Sequence, residues 1–293
     1  MVESALLEIP GVTFAPVNHV CFSPDGTMLA ASTVDREVAV FRGNEVIYQS
    51  NFMTEDHRIR PHDSIRSIIF SGDGQSLYVA WGDILRRINL YSGSVEWARQ
   101  SDPNMAFLIT TPVNLARSSM GQVACAYADG HVELYDANGV LEGRFSDNAA
   151  PCLMSYISGN RLAGTDRFSI TVWSSGGRLL HRAKGTRRMF ALAASEESDL
   201  LAVRSLHEVL IMRTSDWQAV GHADTRPGYP KLLFIAGDCL ASLDADGFSL
   251  YNPAGEEVKR FETHAYRPIA MAHHPKQGLA VSGSDGSVHL YPL

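Results

Sequence analysis

The chain is 293 residues long, 45% hydrophobic and 19% charged, with a formal net charge of −7 at neutral pH. A sizeable core is available, and the acidic balance argues against nucleic acid as a partner, because nucleic-acid binders carry a basic footprint. No apolar run approaches the roughly 18 residues of a membrane-spanning helix, and Met1 to Ile9 holds Glu3 and Glu8 with no basic stretch, against both membrane insertion and a secretory signal.

In chain order, Ala5-Leu-Leu-Glu-Ile9 is a short apolar strand ahead of the first full unit, which starts near Asn18. That unit runs through Val20-Cys21-Phe22, the turn Phe22-Ser-Pro-Asp-Gly26, a turn at Asp35 and the strand Val38-Ala39-Val40-Phe41. The second repeats Phe70-Ser-Gly-Asp-Gly74 and turns at Asp83, and the third turns at Asp129 before Val-Glu-Leu-Tyr135. The fourth turns at Asp166 and ends in Ile170-Thr-Val-Trp173, and the fifth turns at His207 and ends in Val209-Leu-Ile-Met212. Ala191 to Glu197 contains helix formers, but its place in the repeat makes it a strand and a turn. The sixth turns at Asp246 before Tyr251. In the seventh, Pro268 to Ala272, Leu279 to Ser282 and Val288 to Tyr291 form three strands, and no fourth follows before Leu293.

The turns at Asp35, Asp83, Asp129, Asp166, His207, Asp246 and Asp285 are separated by 48, 46, 37, 41, 39 and 39 residues. A large side chain closes each third strand, read as Phe41, Tyr91, Tyr135, Trp173, Met212, Tyr251 and Tyr291. A period of about 40–45 residues with four short strands per unit is the pattern of a propeller. The expected fold is therefore all-β: a single seven-bladed β-propeller over 1–293, with four-stranded antiparallel blades and the last blade completed by the N-terminal strand 5–9. Pairing Ala5 to Ile9 with the last strand removes an open edge, and burying Leu6, Leu7 and Ile9 contributes about 1.5–3 kcal/mol each.

Phe22-Ser-Pro-Asp-Gly26, Phe70-Ser-Gly-Asp-Gly74, Ala128-Asp129-Gly-His-Val-Glu-Leu-Tyr135-Asp136 and Gly283-Ser-Asp285-Gly-Ser-Val-His-Leu-Tyr291 resemble the WD-repeat family in their turns and in the approach to the Trp-Asp pair. Trp173 matches the Trp of that pair and Asp136 its Asp. In the family a His before the first strand joins a hydrogen-bonded network with the turn Asp and a Trp; His62 and His264 match that His here, and the other units rely on packing. Partial versions would join His62 to Asp83, and His264 to Asp285 and Ser282.

Signs of catalysis are missing. There is no H-E-x-x-H, G-x-S-x-G, P-loop or G-x-G-x-x-G. Asp244-Ala-Asp246-Gly247 reads as an Asx-type strand turn and not a calcium loop. His273-His274-Pro275 and Glu196-Glu197 read as solvated turns. Cys21, Cys125, Cys152 and Cys239 stand alone among apolar neighbours, which points to reduced, buried thiols in a cytoplasmic protein. No metal and no cofactor are expected.

One stretch reverses the overall sign: Arg178, His181, Arg182, Lys184, Arg187 and Arg188. Charge on an outer strand blocks edge pairing, and the same charge suits an acidic partner. In the resembled family partners dock on the loops entering each first strand, here 51–63, 101–105, 146–151, 184–189, 222–230 and 263–267. Aromatic and Arg residues anchor such surfaces, which selects His62, Arg187, Arg188, Tyr229, Tyr266 and Arg267. The expected function is a non-enzymatic scaffold that binds protein or peptide partners on a rim, within a larger assembly. The alternatives are a propeller hydrolase or lyase with its site at the channel mouth, and an RNA-binding propeller.

Overall fold

The computed structural model describes residues 5–8, 15–52, 64–100, 111–146, 151–185, 187–235, 238–263 and 266–293, the first of these segments and residue 100 as backbone only. The first strand is β1 (Ala5–Glu8). Blade 1 then comprises β2 (Val17–Phe22), β3 (Leu29–Thr33), β4 (Glu37–Arg42) and β5 (Glu45–Asn51). Blade 2 comprises β6 (Ile65–Phe70), β7 (Ser76–Trp81), β8 (Ile84–Asn89) and β9 (Val95–Gln100). Blade 3 comprises β10 (Pro112–Arg117), β11 (Val123–Tyr127), β12 (His131–Tyr135) and β13 (Leu141–Ser146). Blade 4 comprises β14 (Leu153–Ile157), β15 (Arg161–Thr165), β16 (Ser169–Trp173) and β17 (Leu179–Lys184). Blade 5 comprises β18 (Ala191–Ser195), β19 (Leu200–Arg204), β20 (Glu208–Arg213) and β21 (Ala219–Asp224). Blade 6 comprises β22 (Leu232–Ile235), β23 (Cys239–Leu243), β24 (Gly247–Tyr251) and β25 (Glu257–Glu262). Blade 7 comprises β26 (Pro268–His274), β27 (Gly278–Gly283) and β28 (Ser287–Tyr291), with β1 as its outermost strand. All seven sheets are antiparallel and four-stranded, as the repeat predicts.

The N-terminal strand does close the last blade. Ala5 faces Leu290, Leu6 faces His289, Leu7 faces Val288 and Glu8 faces Ser287. Ile9 lies outside the described residues. Side-chain packing closes the circle as well: Val17, Val20 and Phe22 of blade 1 share one buried cluster with Ala270, Ala280 and Val288 of blade 7. Six further clusters fill the other blade-to-blade interfaces among the described residues. The second strands β3, β7, β11, β19 and β27 are buried along their whole length, because both faces meet a neighbouring blade. The outer strand β13 alternates between partly buried and exposed, as a perimeter strand should.

The turns explain the sequence repeats. Ser23 Oγ donates to Asp25 Oδ1 at 2.6 Å and accepts the Met28 N–H at 2.9 Å, while Gly26 takes φ +75°. Ser71 and Asp73 reproduce this arrangement at 2.5 Å, with Gly74 at φ +70°. The left-handed position is why Gly recurs there.

One strand reading needs correction. In blades 1 to 6 the ladder between the third and fourth strands slips just before a large residue: Phe41, Ile88, Tyr135, Trp173, Met212 and Tyr251. In blade 2 that residue is Ile88 and not Tyr91. Tyr91 is 75% exposed in the turn after β8, where its N–H bonds to Asn89 Oδ1. The cause is the two-residue turn Gly82-Asp83, across which Trp81 pairs with Ile84. It shortens the path from turn to strand end. Trp173 behaves as expected: it is buried against Phe145 at 5.4 Å, and a Cβ on Gly164 would come within 2.9 Å of its ring.

Among the described residues five histidines have pKa values below the ordinary range. Burial lowers His131, His181, His273 and His289, and burial with nearby Lys231 takes His19 to about 3. Each binds a proton less readily when folded than when unfolded, so the unfolded chain binds more protons below about pH 6.5, and stability falls as pH falls through that window. We expect a lower melting temperature at about pH 5.5 than at about pH 7.5, with a flatter dependence in His19→Gln. Equal melting temperatures would contradict it.

Candidate functional site

Alternating strand direction sorts the connections onto two rims. The second-to-third-strand turns and the loops into each first strand share one rim, and the other turns form the opposite rim. On the first rim His62 and His264 lie outside the described residues. Tyr229, 42% exposed, lies under the Arg267 guanidinium, whose carbon is 4.7 Å from the ring centroid. The entries to blades 6 and 7 thus meet at one exposed aromatic–cation pair. Arg187 is exposed and pairs with Glu208 at 2.9 Å, and Glu208 also faces His222 at 3.2 Å. Arg188 lies over the Phe190 ring at 5.2 Å. An exposed pair such as Arg187–Glu208 adds little stability.

Tyr266 is placed differently from the sequence expectation. It is only 8% exposed, its ring stacks on His289 at 4.1 Å, and its hydroxyl meets that of Tyr291 at 2.8 Å. A partner cannot reach a side chain held this way. The residue faces the blade core because the chain turns inward there, with the Tyr266 N–H bonded to Thr263 O. The blade 7 network also has different members. Ser287 Oγ links Asp285 at 2.6 Å to His289 Nε2 at 2.9 Å, while Ser282 Oγ donates to Val17 O at 2.8 Å and ties blade 7 to blade 1. Asp83 sits in the tight turn of blade 2, with His62 outside the described residues.

Blade 3 holds a network that motif reading missed. Arg144 Nη2 lies 3.0 Å from His131 Nε2, which must therefore accept, so Nδ1 carries the proton directed at Asp129 Oδ1, 2.5 Å away. The ring stacks on Tyr127 at 4.0 Å. Buried Glu133 accepts hydroxyl bonds from Tyr127 at 2.8 Å and Tyr135 at 2.5 Å, and burial raises the pKa of both phenols. The available signal was polar His and Glu inside an otherwise apolar third strand.

On the opposite rim a cavity of about 1330 Å³ opens at the channel mouth, lined by Arg117, Ser119, Glu196, Asp238, His273 and His274 among others. The two turn motifs set apart in sequence therefore meet here. One polar side chain of each motif is engaged. Glu196 receives the Ser119 N–H at 3.0 Å and its hydroxyl at 2.6 Å. His274 Nε2 donates to Pro24 O at 3.2 Å, and its Nδ1 accepts the Lys276 N–H at 3.2 Å. Asp244 forms the Asx turn with the Asp246 N–H at 2.9 Å and pairs with Arg260. Among the described residues no three His, Cys, Asp or Glu side chains group as metal ligands. The cysteines are free thiols, and burial pushes Cys21 up to about 12.

Seven four-stranded blades in a closed circle make this chain a β-propeller. The family described as "WD domain, G-beta repeat" matches residues 7–42 and 255–291, the two stretches that meet at the closure. Over those two stretches the seven-bladed β-propeller is similar to WD repeats. No curated protein matches it. Among solved structures, a chain of the "Crystal Structure of Mitotic Checkpoint Complex" superposes with a TM-score of 0.76 over 99% of this chain and 91% of that one, at 14% identity. Likeness at that identity is likeness of fold, and one fold hosts many functions. No helix among the described residues is long and apolar enough to cross a membrane.

Proposed function

We propose that the chain acts as one domain in the cytoplasm, as a non-enzymatic scaffold that binds protein or peptide partners on its loop rim within a larger assembly. The observation that carries this reading is the Tyr229–Arg267 pair, an aromatic and a guanidinium stacked in the open where two blade entries converge. Such residues supply most of the binding energy in protein interfaces. The WD-repeat architecture supports an interaction role. The channel mouth would be the seat of an enzyme, but there Glu196 is bonded to Ser119 of blade 3 and His274 to Pro24 O and the Lys276 N–H, bonds that suit a structural role.

The test compares what the wild-type chain and the double variant Tyr229→Ala, Arg267→Glu retain from the cell of origin. The expected result is a defined partner set bound about tenfold or more weakly by the variant. A partner set indifferent to both substitutions would overturn the assignment of this rim.

A further inference from the structure

Blades 4 and 5 leave an open apolar pocket between them on the loop rim, with a volume of about 160 Å³. Its walls include Ile170, Met189, Val203, Leu210 and Met212. After β17, two backbone bonds hold the wall of the pocket: the Gly185 N–H donates to Phe168 O and the Met189 N–H to Arg167 O, both at 2.7 Å. Gly185 packs closely here, since a Cβ there would come 3.2 Å from both Met189 Cε and Phe168 O. Two apolar side chains stand in the adjoining turns of the same blades, Phe168 and Leu206, each 54% exposed. A pocket of methionine and branched aliphatic walls adapts its shape to an inserted side chain.

The rim of this pocket is basic. Lys184 and Arg187 line it. Arg167 and Arg188 stand in the same rim segments, with Asp166 beside Arg167, whereas Arg178 and Arg182 belong to the far turn and the outer strand. Glu208 is the acid at the pocket edge, and it is shared between Arg187 and His222.

The geometry points to a docking site for an acidic peptide segment that inserts one large aliphatic side chain between blades 4 and 5. This deepens the scaffold reading and rests on it. The pocket volume suits one anchor residue, and the cations outside it suit flanking Asp and Glu, which compete with Glu208 for Arg187. RNA fits less well. Bases seek aromatic platforms and hydrogen-bonding edges, whereas these walls are aliphatic and thioether with Ser205 as their one hydroxyl among the described residues.

The experiment follows the methyl signals of methionine-labelled full-length protein by NMR, with Met189 and Met212 assigned through their Leu variants. Four synthetic probes are titrated: a peptide with one Leu flanked by Asp and Glu, the same peptide with Ser for Leu, one with Leu flanked by Lys, and oligouridylate. The expected result is a saturable shift of the Met189 and Met212 methyls with the acidic Leu peptide alone, weakened about tenfold or more by Lys184→Glu with Arg187→Glu. Both substituted positions are exposed, so the fold is retained. Unmoved methyls, an equal response to the Ser or Lys peptide, or a response to oligouridylate alone would overturn the proposal. Partners lost with the Tyr229 and Arg267 variant would still stand in that case, so the two readings fail separately.

Discussion

Removing residues 1–14 is expected to lower the melting temperature by about 5–15 °C and to make the protein prone to aggregate. The physical cause is the loss of β1 from blade 7. Four residue pairs, from Ala5↔Leu290 to Glu8↔Ser287, disappear, and β28 becomes a bare edge. Each ladder hydrogen bond contributes about 0.5–1.5 kcal/mol net, so the backbone alone accounts for a few kcal/mol. The blade 7 to blade 1 cluster, with Val17, Phe22, Ala272 and Ala280, remains in the shortened chain. The expected product is therefore a weakened ring and not an unfolded chain. A synthetic peptide of residues 1–14 added in trans should recover part of the loss. A soluble truncated protein that melts at the same temperature would show that the closure adds nothing.

Arg204→Lys and Arg204→Met are each expected to destabilise by about 2–5 kcal/mol, read as a lower urea midpoint at unchanged slope. Arg204 ends β19 and is 1% exposed. From blade 5 its guanidinium reaches into blade 6, where Nη1 donates to Ser242 Oγ at 2.8 Å and to Leu243 O, and Nη2 donates to Arg226 O at 2.7 Å. Burial without a directly bonded carboxylate lowers its pKa, which shows the cost of holding the charge there. A lysine cannot reproduce the planar fork, and methionine leaves the carbonyl oxygens of Leu243 and Arg226 without these donors. Because Arg226 begins the segment that carries Tyr229, the same variants should weaken partner binding at that rim. An unchanged midpoint would mean that packing alone joins these blades.

The two effects differ in how far the sequence announces them. The closure was legible: a final unit one strand short and a spare apolar strand at Ala5 require each other. Arg204 was not legible, since a strand ending Leu-Leu-Ala-Val-Arg reads as one closed by a surface charge. Its burial depends on the neighbouring blade, which no local pattern reveals. Tyr266 shows the same limit in reverse, because an aromatic in a rim loop reads as an anchor until the turn beside it directs the ring onto His289. Tyr91 was misread as a strand end because a two-residue turn shifted the count within one blade.

The sequence by itself determined the architecture, since strand period, turn chemistry at Ser23-Pro-Asp-Gly26 and its copies, and the missing last strand are all local properties repeated along the chain. The tertiary structure alone decided which side chains share a surface. Circular closure sets residues far apart in the chain side by side: it laid Arg267 over Tyr229, drew Glu196 to Ser119, and left a pocket between Met189 and Met212. Those neighbours follow from the angle between adjacent blades, a property of packed sheets that no single strand encodes.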